Sequence, residues 1–213
     1  MPSRGTADDA EPEQVDGVKR RPRGRPRAVI DMDAVADVVA CLFVEGGASA
    51  VSIVNAAEKL DVSRATLYRA VPSKEDLVGI LFERTIHQQG GLLANIVDAD
   101  MPIRDKLVRL IEIQVEAAVR MRAYMPAFFG GAGLPPDVFV RWQAWSREYE
   151  RMWARCVRQA MDEGVLVHCD PAIATRLILG MFLWIARWYR PDEGIDTAEI
   201  TEVAVRLLLP DGR

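Results

Sequence analysis

Residues 51–77 read VSIVNAAEKLDVSRATLYRAVPSKEDL, and their punctuation predicts two short helices, a tight turn between them and the start of a third helix. Ser52 is placed to cap a helix from Ile53 to about Lys59, because a serine oxygen there accepts from a first-turn N–H that otherwise has no partner. Leu60-Asp61-Val62 interrupts that helix. The turn needs a residue that tolerates the left-handed conformation, and aspartate enters it more readily than most side chains. Ser63 then caps a second helix from about Arg64 to Ala70. Val71-Pro72 ends it, since the residue before a proline avoids the helical region. Ser73 restarts the chain at once, with Glu75 and Asp76 suited to the positive end of the new helix dipole. In the middle helix Leu67 points inward, which leaves Arg64, Ala65, Thr66, Tyr68 and Arg69 on the outside.

Upstream, Asp31 to Gly47 carries Val35, Val38, Val39, Leu42 and Phe43, the stripe of an amphipathic helix. Asp31 or Asp33 can cap its start, and Gly46-Gly47 ends it. Before that helix the charge changes sign twice. Met1 to Gly17 is acidic and too polar to bury a core, which predicts disorder. Val18 to Arg27, VKRRPRGRPR, gathers Lys19, Arg20, Arg21, Arg23, Arg25 and Arg27, while Pro22, Gly24 and Pro26 keep it out of a helix. A thin arginine-rich strand suits the minor groove of DNA, so Arg23, Arg25 and Arg27 are candidates for a minor-groove arm. A basic tail making loose phosphate contacts is the alternative. Both point to nucleic acid. The net charge of −4 for the whole chain hides this local field.

The run SRATLYRAVPSKEDL resembles the signature of the tetracycline-repressor (TetR) family, and Ile30 to Val62 is similar to that family's first two helices without a gap, including Phe43, Gly47, Ala57 and Leu60. The resemblance covers about Ile30 to Phe82. It departs from the common pattern at Asp61, Ala65, Ala70 and Val71, where glycine, glycine, histidine and phenylalanine are usual. It implies a helix-turn-helix whose second helix enters the major groove of double-stranded DNA. Arg64, Ala65 and Thr66 would lie against base edges, with Arg64 suited to guanine and the two methyls to thymine. Ser52, Tyr68, Arg69, Ser73 and Lys74 would hold phosphates, which sets register rather than sequence, and the N–H groups opening the helix at Ser73 and Lys74 would hold another.

The remainder reads as long helices with short connections. Leu107, Leu110, Ile111, Val115, Ala118 and Met121 place one helix from Ile103 to Tyr124. Gly130 to Pro136 is a loop without the lysine or the strand of a phosphate loop. A helix from Pro136 to Glu163, closed by Gly164, carries Trp142, Trp145, Tyr149, Met152, Trp153 and Cys156 on one side. Such a stripe is either plain core or the wall of a pocket. Met121, Phe128, Phe129, Trp142, Trp145 and Tyr149 are the candidate pocket lining. Asp170-Pro171 starts a helix to about Tyr189 that is apolar nearly all round, and a last helix runs from Thr197 to Leu209. A helix apolar on every face needs cover on every face. Leu177, Met181, Trp184, Trp188, Ile200 and Leu207 are therefore the candidate contacts of a homodimer that pairs two helices from each chain. Trp184 to Pro191, WIARWYRP, is similar to the matching helix end in TetR-type regulators of fatty-acid and steroid breakdown, which would imply an acyl-CoA ester as effector.

The reading is an all-α chain: an arm over residues 1–28, a three-helix DNA-binding unit over 29–77, and a helical effector-binding and dimerisation unit over 78–213. The three cysteines are scattered, which suits reduced thiols rather than a disulfide framework, and Cys41 reads as a small core or boundary residue. His87 and His168 are isolated, so neither a metal nor a cofactor is expected. No apolar run approaches the roughly 20 residues of a membrane span and no signal peptide is legible, so a cytoplasmic protein is expected. The expected function is a ligand-responsive repressor that binds a near-palindromic operator as a dimer and answers an unknown small-molecule effector. An architectural DNA-binding protein, and a helical carrier or enzyme, are the competing classes; no catalytic constellation stands out for the last.

Overall fold

The computed structural model describes residues 30–125 and 135–210. Eight α-helices follow one another in them: α1 Met32–Ala50, α2 Ile53–Lys59, α3 Arg64–Ala70, α4 Lys74–Asp98, α5 Ile103–Met121, α6 Pro136–Asp162, α7 Pro171–Trp188 and α8 Thr197–Leu208. No strand occurs among the described residues.

The capping logic of the sequence is what the backbone does. Asp31 Oδ1 accepts from the Asp33 N–H at 2.9 Å, Ser52 Oγ from Asn55 at 3.1 Å, Ser63 Oγ from Thr66 at 3.1 Å and Ser73 Oγ from Asp76 at 3.0 Å. Asp61 supplies the left-handed turn between α2 and α3, with φ 52°. The helical path of α1 breaks at Gly46 and Gly47, and Gly47 sits at φ 64°, ψ −159°, a region essentially reserved for glycine. One helix boundary and one burial expectation are corrected. α5 ends at Met121 and gives way to a turn over residues 122–124, short of the expected Tyr124. Cys41 is exposed because it lies off the stripe that buries Val35, Val39, Leu42 and Phe43.

Two apolar cores share the long helices. The first joins Val35, Val39 and Phe43 of α1, Ile53 and Ala57 of α2, and Leu67 of α3 to Leu77, Leu81 and Phe82 of α4, and Met121 of α5 closes it from the far side. The second joins Leu93 of α4 to α5, α6, α7 and α8 around Trp153 and Phe182, whose rings lie 6.2 Å apart. A boundary after residue 77 therefore falls inside α4, a continuous 25-residue helix about 37 Å long at 1.5 Å per residue. Its first turns belong to the N-terminal core and its last turns to the C-terminal one.

Two arginines lock α4 to its neighbours. Arg84 donates to the Asp33 carbonyl at 2.9 Å and to Asp37 Oδ1 at 2.5 Å, tying α4 to α1. Arg141 of α6 pairs with Glu83 of α4 and, at 2.9 Å, with Asp137. The Arg141 guanidinium holds the Asp137 carboxyl below the usual carboxylate range.

Candidate nucleic-acid interface and ligand cavity

The helix-turn-helix presents one polar surface. Arg64, Ala65, Tyr68 and Arg69 are exposed on α3 while Leu67 is fully buried beneath them. This side of α3 is set by a single anchor, because a seven-residue helix has room for only one inward turn. Several of the polar atoms already have partners in the free chain. The Thr66 hydroxyl lies 2.7 Å from Ser63 Oγ and accepts from Arg69 at 3.5 Å. Arg69 Nε donates back to the Ala65 carbonyl at 3.2 Å. Lys74 Nζ donates to the Ala48 carbonyl at 2.5 Å, closing the frayed end of α1. The Ser52 and Ser73 hydroxyls are engaged in their caps, and Ser73 Oγ also donates to Asp76 Oδ2 at 2.6 Å. Among the predicted phosphate contacts, then, Ser73 retains only its backbone N–H as a ready donor, because its hydroxyl proton goes to Asp76, whereas the Ser52 hydroxyl accepts in its cap and keeps its own proton to donate. Arg23, Arg25 and Arg27 lie outside the described residues.

A cavity of about 310 Å³ opens between α4, α5, α6 and α7. Of the candidate lining, Met121, Trp142, Trp145 and Tyr149 stand in its wall, whereas Phe128 and Phe129 lie outside the described residues. The aromatic stripe of α6 thus divides in two. Trp153 and Cys156, nearer its C-terminus, are plain core, and burial pushes the Cys156 thiol above its usual range. Trp142 and Trp145, nearer its N-terminus, are half-buried and form cavity wall. Phe82, Ile86, Met125, Leu179 and Leu183 complete the apolar side chains of the lining.

Sequence reasoning missed the polar part of this wall. Thr85, Gln89, Gln114 and Ser146 line the cavity, with Glu150 and Arg176 joining them. Arg176 Nε lies 2.7 Å from Glu150 Oε1. Tyr149 donates to Gln114 Oε1 at 2.6 Å, and burial pushes its phenol up to about 12. The Thr85 hydroxyl is spent on the Leu81 carbonyl at 2.8 Å. Gln89 is only 3% exposed, yet neither its amide nitrogen nor its oxygen meets a hydrogen-bond partner, and neither does the Trp145 indole N–H. The signal was present in the sequence: Gln89 follows Phe82 and Thr85 at helical spacing, a polar side chain on the inward stripe of α4.

The outer face of α7 and α8 is apolar and open. Leu177 is 70% exposed, Trp184 63% and Leu207 69%, with Ile173, Trp188 and Val203 beside them. Met181 is half-buried against its own domain. Ile200 is corrected: it points into the core of its own chain, and Val203 takes the outward position on α8. Around the isolated histidines, the described residues hold no group of side chains able to ligate a metal. No described helix is long and apolar enough to cross a membrane.

Comparison with known proteins matches both halves of the chain. Residues 100–210 match the model of the tetracyclin repressor-like C-terminal domain, and residues 38–79 match that of the bacterial regulatory proteins of the tetR family. A curated relative, the HTH-type transcriptional regulator LuxR of Vibrio harveyi, is 24% identical over 102 residues, or 48% of this chain; the chain spans about half, 50%, of that relative's length. Three solved structures share the fold. A TetR/AcrR-family regulator from Thermobifida fusca is 24% identical, with a TM-score of 0.72 over 85% of this chain and 98% of that one. AibR, solved with isovaleryl coenzyme A and operator DNA, is 20% identical, with a TM-score of 0.73 over 85% and 99%. The ketosteroid regulator KstR2 of Mycobacterium tuberculosis is 20% identical, with a TM-score of 0.69 over 84% and 95%. With a family model over each half and a three-helix reading head built on α4, the chain belongs to the TetR family of bacterial transcription regulators, which bind DNA and are not enzymes.

Proposed function

We propose that the protein is a ligand-responsive repressor that binds a near-palindromic operator as a homodimer and is released by a small, largely apolar molecule, free or as an acyl-CoA-type conjugate. The observation that carries this reading is the cavity. Phe82, Thr85, Ile86 and Gln89 of α4 line it, and the same helix opens with Lys74, directly after the reading helix α3. A ligand that fits one position of α4 better than another shifts α3 with it, and it shifts the equilibrium only by that difference in affinity.

In this reading Arg64, Ala65 and Thr66 face bases, with the Thr66 methyl suited to thymine. Tyr68, Arg69 and Lys74, with the N–H groups after Ser52 and Ser73, hold phosphates. Lys74 must leave the Ala48 carbonyl to do so. The exposed apolar face formed by Leu177, Trp184, Trp188 and Leu207 supports dimerisation, since a contiguous patch of this kind marks an association surface. AibR's complex with isovaleryl coenzyme A and operator DNA, together with the WIARWYRP helix end, supports the acyl-CoA-type form of the ligand. Selection of bound fragments from random DNA tests the reading. Two inverted half-sites spaced by about 10 base pairs, or roughly 34–36 Å, are expected. A single unrepeated half-site, or no preference, would overturn it.

A further inference from the structure

The cavity wall is unfinished chemically in one place. Gln89 is 3% exposed, lines the cavity and leaves both ends of its carboxamide without a partner. Trp145 lines the same cavity, and its buried indole N–H is likewise unpaired. Trp145 Nε1 lies against α4 beside Gly90, the residue that follows Gln89: a Cβ on Gly90 would come within 3.1 Å of it. A buried polar group without a hydrogen bond costs free energy, and the large majority of such groups have a partner; among the described residues Arg84 Nε and Trp153 Nε1 also lack one, but neither residue lines this cavity.

The missing partner is defined by what these atoms lack. Gln89 offers N–H donors and an oxygen acceptor, and Trp145 offers a donor only. Exchanging the nitrogen and oxygen of Gln89 changes nothing, since both ends are unpaired. A carboxylate gives acceptors alone, sets an oxygen against Gln89 Oε1 and brings a charge. Arg176 is the one cation among the described lining residues, and it is already paired with Glu150 at 2.7 Å. An ammonium gives donors alone and leaves the indole unpaired. A ketone, ester or thioester carbonyl accepts but does not donate. An alcohol or a carboxamide does both and carries no charge.

We propose that the cavity takes a neutral molecule with a hydroxyl or carboxamide on an apolar body, and that Gln89 and Trp145 together read that group. In a thioester conjugate the group is a hydroxyl on the acyl chain. The inference rests on the cavity being the ligand site of the repressor, and it specifies the ligand class for that site.

The test uses the full chain and four probes: octan-1-ol, octanamide, octanoate at pH 8, where its carboxyl is ionised, and toluene. Binding is read by quenching of tryptophan fluorescence and by thermal shift. Octanol and octanamide are expected to bind about tenfold tighter than octanoate. Gln89→Met, Gln89→Leu and Trp145→Phe are each expected to weaken octanamide binding about tenfold while toluene binding stays, which also shows that the variants are folded. Octanoate binding as tightly as octanamide, or unchanged octanamide affinity in the Gln89 variants, overturns the inference and leaves the repressor reading in place. If none of the four probes, toluene included, enters the native protein, the ligand-responsive reading falls with it.

Discussion

At the scale of single residues, the side chains that matter most break a packing rule. Gln89 is buried without a partner, a condition that costs roughly 1–3 kcal/mol in a folded protein. Gln89→Met keeps the length and removes the unpaired groups. It is therefore expected to raise the stability of the ligand-free protein by about 1 kcal/mol, seen as a melting temperature higher by about 2–4 °C. A lower melting temperature would mean that the amide supports the fold and does not wait for a ligand. Tyr149 gives a pH test. Burial raises its folded pKa to about 12 from an ordinary 10.0, so the neutral phenol contributes stability fully below pH 10, and that contribution is lost as pH rises toward 12. Thermal unfolding should show Tyr149→Phe with the same pH profile as the native protein up to pH 10 and a flatter one above it. On α3, Arg64→Ala is expected to relax preference at one position of each half-site and cost about 1–3 kcal/mol at that position. Lys74→Ala should weaken all sequences alike and lower the slope of binding against salt by about 1. Selective loss from the lysine, or none from the arginine, would exchange their roles.

At the scale of elements, the caps and breakers were the most legible part of the sequence. Ser52, Ser63, Ser73 and Asp170 each accept from the first turn of the helix they were expected to start, because a capping side chain acts within its own turn. The turn at Asp61 was legible for the same reason: its φ of 52° follows from local sterics. Faces were harder to read. The stripe on α6 gave the lining at Trp142, Trp145 and Tyr149, but its spacing alone did not show where core ends and cavity begins; that depends on how α4 and α7 approach it. The direction of Ile200 was lost similarly, since α8 has apolar residues on two sides and only packing against the second core chooses between them. The boundary at residue 77 followed the motif's edge, while the core continues through Leu81 and Phe82. The outward faces of α7 and α8 carry the dimer claim. Leu177→Glu with Leu207→Glu changes two side chains that are 70% and 69% exposed, so the single chain should fold as before. Sedimentation is expected to show a monomer, and operator affinity should fall by at least about 100-fold once the two reading heads are no longer linked. A dimer that persists would place the interface elsewhere.

At the scale of the whole molecule, the protein is a pair of cores joined through α4, α5 and α6. Neither core can change its packing against α4 independently of the other, since one unbroken helix carries Leu77 in the first and Leu93 in the second. Arg84 fastens α4 to α1 on the DNA-binding side and Arg141 fastens it to α6 on the other. A molecule seated against Gln89 presses on the middle of this connection. Coupling of this kind typically amounts to 1–3 kcal/mol, or about 5–150-fold in affinity, and it acts in both directions. The most direct test of the account is the affinity of the full chain for its selected palindrome, measured without and with saturating octanamide and repeated with Gln89→Met. The expected result is operator binding at least about tenfold weaker with octanamide in the native protein, and a much smaller effect at the same concentration in the variant. Octanamide that occupies the cavity while operator affinity stays the same would contradict the account.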